Sequence, residues 1–358
     1  MKTSTSKKGS YRLALFISLV SAYFIYLPSQ CSLHFTSHPT FSSTMDSLRS
    51  TSNTSQSSVS ELSYSGFLPV EYESGDPLMQ LVKEVEQEPF TTEESLQESL
   101  EDRQQALQHN ETQNQYLVFT SVPSIQASRL SDERSRTSKY CRFFFNAETG
   151  ILIAKIMPNF VHDFAIRSFE KVIDFELHTI QVHRHIRSFG SATTKIGNWT
   201  KEADACWAPV ETDARLSFVV EIGLPESTQH LALDAHGWLE SDSPSVNLVV
   251  TISIKRNTPE ILLRQWELGP RQSGVVKRSS PRSAHCTSFL KLSRTNNTTS
   301  VTGESYIDGI TTTTTHLDLP FNKIVNRPPR QPPERDLVIP EQELRSFAED
   351  IWSEQGLL

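Results

Sequence analysis

Apolar positions fall into one dense block between two polar flanks. Within it, Phe143 to Phe145 and Ile151 to Ile156 are apolar runs on either side of Asn146-Ala147-Glu148-Thr149-Gly150, a polar turn with glycine, and predict a hairpin. Pro158 ends the second run. Phe160, Phe164, Phe169, Ile173 and Leu177 then recur at helical spacing, which predicts a helix over Asn159 to Thr179 with its apolar stripe against a sheet. Ala203 to Trp207, Leu216 to Ile222, Leu248 to Ile254 and Ile261 to Leu268 read as strands. Ser227 to Leu239 reads as a second helix, with Leu231, Leu233, Ala235, Trp238 and Leu239 on its buried side. Strands interleaved with helices across residues 116–270 define an α/β sandwich.

The flanks lack that density. Ser32 to Ser60 is Ser/Thr-rich without an apolar period, and Val70 to Asp102 is dominated by acids. Leu78, Leu81, Val82 and Val85 recur at helical spacing, so short helices fit Pro77 to Glu88 and Glu93 to Gln108. The charge favours a solvated tail, and residues 31–115 are expected to be disordered. Residues 271–338 read the same way: a Ser/Arg-rich stretch, the Thr311 to Thr315 run, and a stiff linker with Pro328, Pro329, Pro332 and Pro333. Residues 339–358 change character. Leu344, Phe347, Ala348, Ile351 and Trp352 share one face of an amphipathic helix starting near Pro340, with Gly356 as a stop. Such a face must dock, either on the α/β core or on a partner protein.

Composition narrows the domain count. A chain of 358 residues has room for two or three domains, but only 37% is hydrophobic and the Ser/Thr-rich flanks cannot bury enough apolar surface to order themselves. The net charge of −8 gives no global attraction to nucleic acid, so such binding needs a local basic groove or bound cations. Cys31, Cys141, Cys206 and Cys286 are far apart, which argues against a zinc module or a disulfide scaffold. Nothing points to a small-molecule cofactor. Residues 1–30 carry an apolar run, Leu13 to Leu27, behind Lys2, Lys7, Lys8 and Arg12. Two readings stand. As a signal peptide or short anchor, the run places the chain in the membrane or secretory pathway, where the sequons at Asn53, Asn110, Asn198, Asn296 and Asn297 would mark a glycoprotein. With translation from Met45, the run is an upstream gene-model extension and the protein is intracellular.

The chemistry concentrates in two strands. Glu221 is the only charged residue in an apolar strand of the kind buried on both faces, where a carboxylate is costly without a metal or cation beside it. Asp204 opens the preceding strand. If the two strands pair through the turn at Pro209 to Arg215, both carboxylates converge at one end of the sheet. Two hard oxygen ligands there suit Mg²⁺ or Mn²⁺, which activate water and stabilise a phosphodiester transition state. The alternative leaves Asp204 in a turn and pairs Glu221 with Arg215 or Lys201.

Glu202-Ala203-Asp204 with Trp207, Phe218 to Gly223, Glu226-Ser227, Leu233-Asp234-Ala235 with Trp238-Leu239, and Gln265-Trp266-Glu267 resemble the PD-(D/E)XK restriction-endonuclease-like superfamily, in its divergent, uncharacterised fungal branch. The resemblance covers Phe143 to Leu268, and Phe347-Ala348-Glu349-Asp350-Ile351-Trp352 is similar to the same branch. It implies a mixed central sheet flanked by helices and a metal-dependent nuclease centre, a hydrolase using Mg²⁺ or Mn²⁺. Asp204 matches the first metal carboxylate, Glu221 the second, and the carbonyl of Ile222 the residue that completes the metal shell. The pattern then calls for lysine two residues after the glutamate, and Gly223 stands there. In the related fungal sequences the lysine follows an Asp-Ala pair, and here His236 follows Asp234-Ala235. Histidine can act as base or donor near neutral pH but lacks the long charged arm. Lys255 is another substitute. Glu226, Asp234, His162, Asp163 and Glu170 are candidate extra oxygen or nitrogen ligands, and a polar helix face or capping explains them equally well.

His178, His183 and His185 match no metal spacing. Arg184, Arg187 and Lys195 nearby form the best basic patch of an acidic chain, a candidate nucleic-acid contact, with Gly190 allowing close backbone approach. Trp207, Trp238 and Trp266 read as core. Three functions are left standing: a PD-(D/E)XK nuclease, a catalytically inactive nuclease-fold module that binds nucleic acid or protein, and a membrane-anchored or secreted glycoprotein.

Overall fold

A computed structural model describes residues 76–132, 140–157, 160–211, 215–224, 228–240, 246–270, 282–307 and 309–358. The apolar run Leu13 to Leu27, the Ser/Thr-rich stretch after it and Glu226 lie outside them.

In chain order the elements begin with α1 (Pro77–Glu84), β1 (Gln87–Pro89), α2 (Glu93–Gln108), β2 (Tyr116–Thr120), α3 (Ser124–Asp132), β3 (Cys141–Asn146), β4 (Ile151–Ile156) and α4 (Phe160–Thr179). They continue with β5 (Ile186–Gly190), β6 (Thr193–Ile196), β7 (Trp199–Glu202), β8 (Ala205–Pro209), β9 (Phe218–Gly223), α5 (Thr228–Leu239), β10 (Leu248–Ile254) and β11 (Glu260–Pro270). The C-terminal part adds β12 (Arg282–Thr295), β13 (Thr298–Ile307), β14 (Ile310–Thr314), β15 (Leu317–Leu319), α6 (Phe321–Ile324), β16 (Leu337–Ile339) and α7 (Glu341–Glu354).

These elements build two large mixed sheets. The first has the order β1-β2-β4-β3-β7-β6 and the second β14-β13-β12-β11-β10-β9-β8-β5. β1 pairs with β2 in parallel, as does β9 with β10; the other ladders of these two sheets are antiparallel. The chain passes from the edge of the second sheet to the edge of the first between Gly190 and Thr193. It returns through Ala203 and Asp204, between β7 and β8. Asp204 therefore stands at a junction of the two sheets.

Side-chain alternation sorts the core of the second sheet. Ala205, Trp207, Phe218, Val220 and Ile222 pack with α4 and α7, while Cys206, Ala208 and Val219 pack with α5. Glu221 shares the face of Val219 and looks toward α5. The terminal helix docks within the chain: Leu344, Phe347, Ala348, Ile351 and Trp352 are buried, and the Phe347 and Phe169 rings lie 5.6 Å apart.

Two expectations of disorder are corrected where the structure describes them, over residues 76–115 and over residues 282–307 and 309–338. In the acidic flank, the Asp76 side chain accepts from Leu78 N at the start of α1, Thr92 caps α2, and Leu78, Leu81, Val82, Leu96 and Leu100 are buried. Helical periodicity outweighs the charge because the acids occupy the outer faces. In the C-terminal flank, β12, β13 and β14 add three strands to the second sheet, and Leu317, Leu319, Phe321, Leu337 and Ile339 join its core. Ala284, Cys286, Leu290 and Leu292 occupy even positions, with Ser283, His285, Thr287, Lys291 and Ser293 among the odd ones, a period of two that the polar composition conceals, and threonine itself suits a pleated strand. Residues 271–281 of that expected linker lie outside the described residues. Among the described residues no helix is long and apolar enough to cross a membrane.

Candidate functional site

The first sheet delivers cations. Lys155 on β4 stands directly opposite Arg142 on β3, and Phe144 stands opposite Lys201 on β7, so all four share one sheet face. The second sheet and its helices deliver acids: Asp204 at the crossing, Glu221 on β9 and Asp234 on α5. The two sets meet inside the protein, where the side chains of Lys155, Lys201, Asp204, Glu221 and Asp234 have no solvent exposure.

Lys155 Nζ donates to Asp204 Oδ2 at 3.0 Å and to Glu221 Oε2 at 2.8 Å, and lies 3.7 Å from Asp234 Oδ2. Lys201 Nζ pairs with Asp234 Oδ1, donates to the Asp234 carbonyl at 2.9 Å, and sits 4.4 Å from the centre of the Trp238 ring. Trp238 Nε1 donates to Glu221 Oε1 at 2.7 Å, and Ile222 N donates to Asp204 Oδ2 at 2.9 Å. His162 on α4 places Nε2 3.0 Å from the Ile222 carbonyl oxygen and 3.5 Å from Asp204 Oδ2. Both neighbours are acceptors, which assigns a proton to Nε2.

Electrostatics pushes the two central acids apart. Burial works against the Asp204 carboxylate, but Lys155, His162 and Arg142 outweigh it and hold that group well below the usual range. Burial raises Glu221 well above its usual value, and the nearby Asp234 and Asp204 charges add to this despite Lys155. Burial likewise disfavours a charged His162, yet Asp204 and Asp163 lift it to about 9. Burial pulls Lys201 down against the opposing attraction of Asp234.

One oxygen of the cluster lacks a hydrogen bond. Asp204 Oδ1 has no hydrogen-bond partner, lies 3.6 Å from Arg142 Nε, and belongs to a residue that lines a cleft of about 250 Å³ with Arg142, Asp163, Arg167, Glu170 and Ser191.

Of the residues expected from sequence, Asp204 and Glu221 come together as anticipated. The Ile222 carbonyl is beside them but engaged by His162. His236 points elsewhere: its Nδ1 pairs with Glu240 at 2.7 Å and its ring meets Trp266 edge-on. Arg215 is exposed, whereas Lys201 lies within the cluster. Arg184, Arg187 and Lys195 are exposed, with Arg187 and Lys195 on the edge strands β5 and β6. His178 and His183 stack on each other at 3.8 Å. Lys155 went unrecognised in the sequence, although the signal existed: it is the only charge in the apolar strand Ile151–Ile156, the same signature that singled out Glu221.

The donor set does not fit a divalent ion. Mg²⁺ requires about six oxygen ligands in near-octahedral array. Both Glu221 oxygens and Asp204 Oδ2 are already engaged, the Ile222 carbonyl is taken, and an ammonium occupies the point between the carboxylates. Among the described residues no group of three or more His, Cys, Asp and Glu side chains could hold a metal ion. No family model, curated protein or solved structure matches the chain.

Proposed function

We propose that the chain is a nuclease-fold protein in which the Lys155 ammonium stands where a metal ion would, so that it serves as a nucleic-acid-binding module rather than a phosphodiesterase. The observation that carries this reading is Lys155 Nζ between Asp204 and Glu221, at 3.0 and 2.8 Å, with no exposure of any of the three side chains. A monovalent cation there satisfies carboxylates that burial would otherwise leave uncompensated. It cannot ionise a bound water or bridge a phosphate as a divalent ion does. Binding would fall to the exposed Arg184, Arg187 and Lys195, with Arg167 at the neighbouring cleft. Three phosphate contacts correspond to a log-log salt slope of about −3 on duplex DNA.

Fluorescence anisotropy on duplex DNA and on RNA tests the binding, with gel assays for strand cleavage in Mn²⁺ beside it. The expected result is salt-sensitive binding that Arg184→Ala, Arg187→Ala and Lys195→Ala together abolish, without cleavage. Mn²⁺-dependent cleavage lost in Glu221→Ala would overturn it.

That outcome would favour a second reading, to which Asp204 lends support as a residue that lines the cleft and keeps one oxygen, Oδ1, free of hydrogen bonds. In it the chain is a PD-(D/E)XK phosphodiesterase, and Lys155 supplies from a distant strand the ammonium that Gly223 does not.

A further inference from the structure

Three of the four edges of the two large sheets are blunted against further pairing. β1 is three residues long and ends in Pro89, β6 is four residues long and carries Lys195, and β5 carries Arg187 and a register shift between Ser188 and Gly190. Charge, proline, bulges and shortness are the devices by which an edge strand refuses a new neighbour. β14, Ile310-Thr311-Thr312-Thr313-Thr314, has none of them. Residues 310–313 are exposed, Ile310 at 64%, and among the described residues no strand pairs with the outer side of β14.

The ladder fixes which backbone groups of β14 face outward. Ile307 pairs with Ile310 across the two-residue connection Asp308-Gly309. In a hairpin of that length the closing residues exchange hydrogen bonds, and hydrogen-bonded pairs then alternate along the ladder. Ile310, Thr312 and Thr314 therefore bond to β13, while the N–H and C=O groups of Thr311 and Thr313 point away from it.

We propose that β14 pairs with β14 of a second copy of this chain, antiparallel about a two-fold axis through Thr312. The axis sets Thr311 opposite Thr313 of the second copy, and Thr313 opposite Thr311, so the four outward-facing residues exchange their N–H···O=C bonds in two pairs. Thr312 faces its own counterpart and Ile310 faces Thr314. The strand is uncharged, so the reversed alignment brings no like charges together, and Thr–Thr pairs across strands are favourable. This self-complementarity selects a second copy as the occupant, since a two-fold interface requires one patch to match itself. The pairing joins two eight-stranded sheets into one and leaves the β5 edges, with Arg187, at its far ends. It is independent of the reading given to the Asp204–Glu221 cluster.

Sedimentation equilibrium of the full chain tests it. The expected result is a reversible monomer–dimer equilibrium with a Kd of about 1–100 μM, because a single strand pair is smaller than a standard interface. Thr312→Lys and Thr312→Glu, at an exposed position, each set like charges across the axis and should weaken the dimer about tenfold or more. An equimolar mixture of the two variants should associate within about threefold of the wild type. Circular dichroism melts of each variant confirm folding. A wild type that stays monomeric throughout that range, a dimer that neither variant weakens, or a mixture no tighter than its components would overturn the proposal.

Discussion

Lys155 Nζ lies 2.8 Å from Glu221 Oε2, although 66 positions separate the two residues and they belong to different sheets. The contact ties the sheets together at their charged seam. A lone lysine in one apolar strand and a lone glutamate in another each carry a desolvation cost that the other offsets.

Lys155→Met is therefore expected to destabilise the fold by about 3–5 kcal/mol, because Asp204 and Glu221 are left buried without their cation. Adding Glu221→Gln and Asp204→Asn to Lys155→Met should recover part of that loss, since neutral side chains need no counter-charge. Urea unfolding of the single and triple variants checks this; a single variant within about 0.5 kcal/mol of wild type would mean that Lys155 is not paired.

Stability should fall on the alkaline side. The folded pKa of His162, at about 9, exceeds its unfolded value of 6.5. Its contribution is fully present below pH 6.5 and is lost as pH rises from there to about 9. The shift corresponds to about 3 kcal/mol. Glu221, also raised, slopes the same way above its unfolded value. Asp204 acts oppositely: its depressed pKa gives stability above about pH 4 that is lost on acidification. Urea midpoints from pH 6 to 9.5 should decline in the wild type and more weakly in His162→Gln.

The C-terminal helix offers a separate test. Trp352 is fully buried against the chain's own core. Trp352→Ala should cost about 3–5 kcal/mol in chemical unfolding. A loss under 1 kcal/mol would show that α7 packs on something other than this core.

The strands after Arg282 can be tested at Gly303, opposite Leu290 in the β12–β13 ladder. A methyl group there would overlap the Phe289 carbonyl oxygen and the Leu290 side chain. Gly303→Ala is expected to lower stability by about 1–3 kcal/mol through strand displacement. An unchanged melt would contradict the ladder.

Much of the fold was legible where one period dominates. The hairpin of β3 and β4, the long helix α4, strands β9 and β10, helix α5 and the terminal helix all follow from apolar spacing, and the structure places each within a few residues of expectation. The β12–β14 ribbon was hidden because Ser and Thr fill much of its length, and that composition masked the alternation of its buried positions. The site was half legible. Asp204 and Glu221 stand out as costly acids, but their partner Lys155 comes from the other sheet, and no local spacing reports which strands of two sheets meet at a seam. Attention to lone charges of both signs in apolar strands would have found it. His236 failed for the complementary reason: helical phase turns it toward Glu240 and Trp266, away from the acids.

On this reading the Lys155 ammonium fills the position a metal would take. Calorimetric titration of Mn²⁺ into the wild type and Glu221→Ala is the decisive test. No Mn²⁺ binding below millimolar concentration is expected in either protein. Sub-millimolar binding by the wild type that Glu221→Ala abolishes would contradict it and establish a metal centre around Asp204 and Glu221.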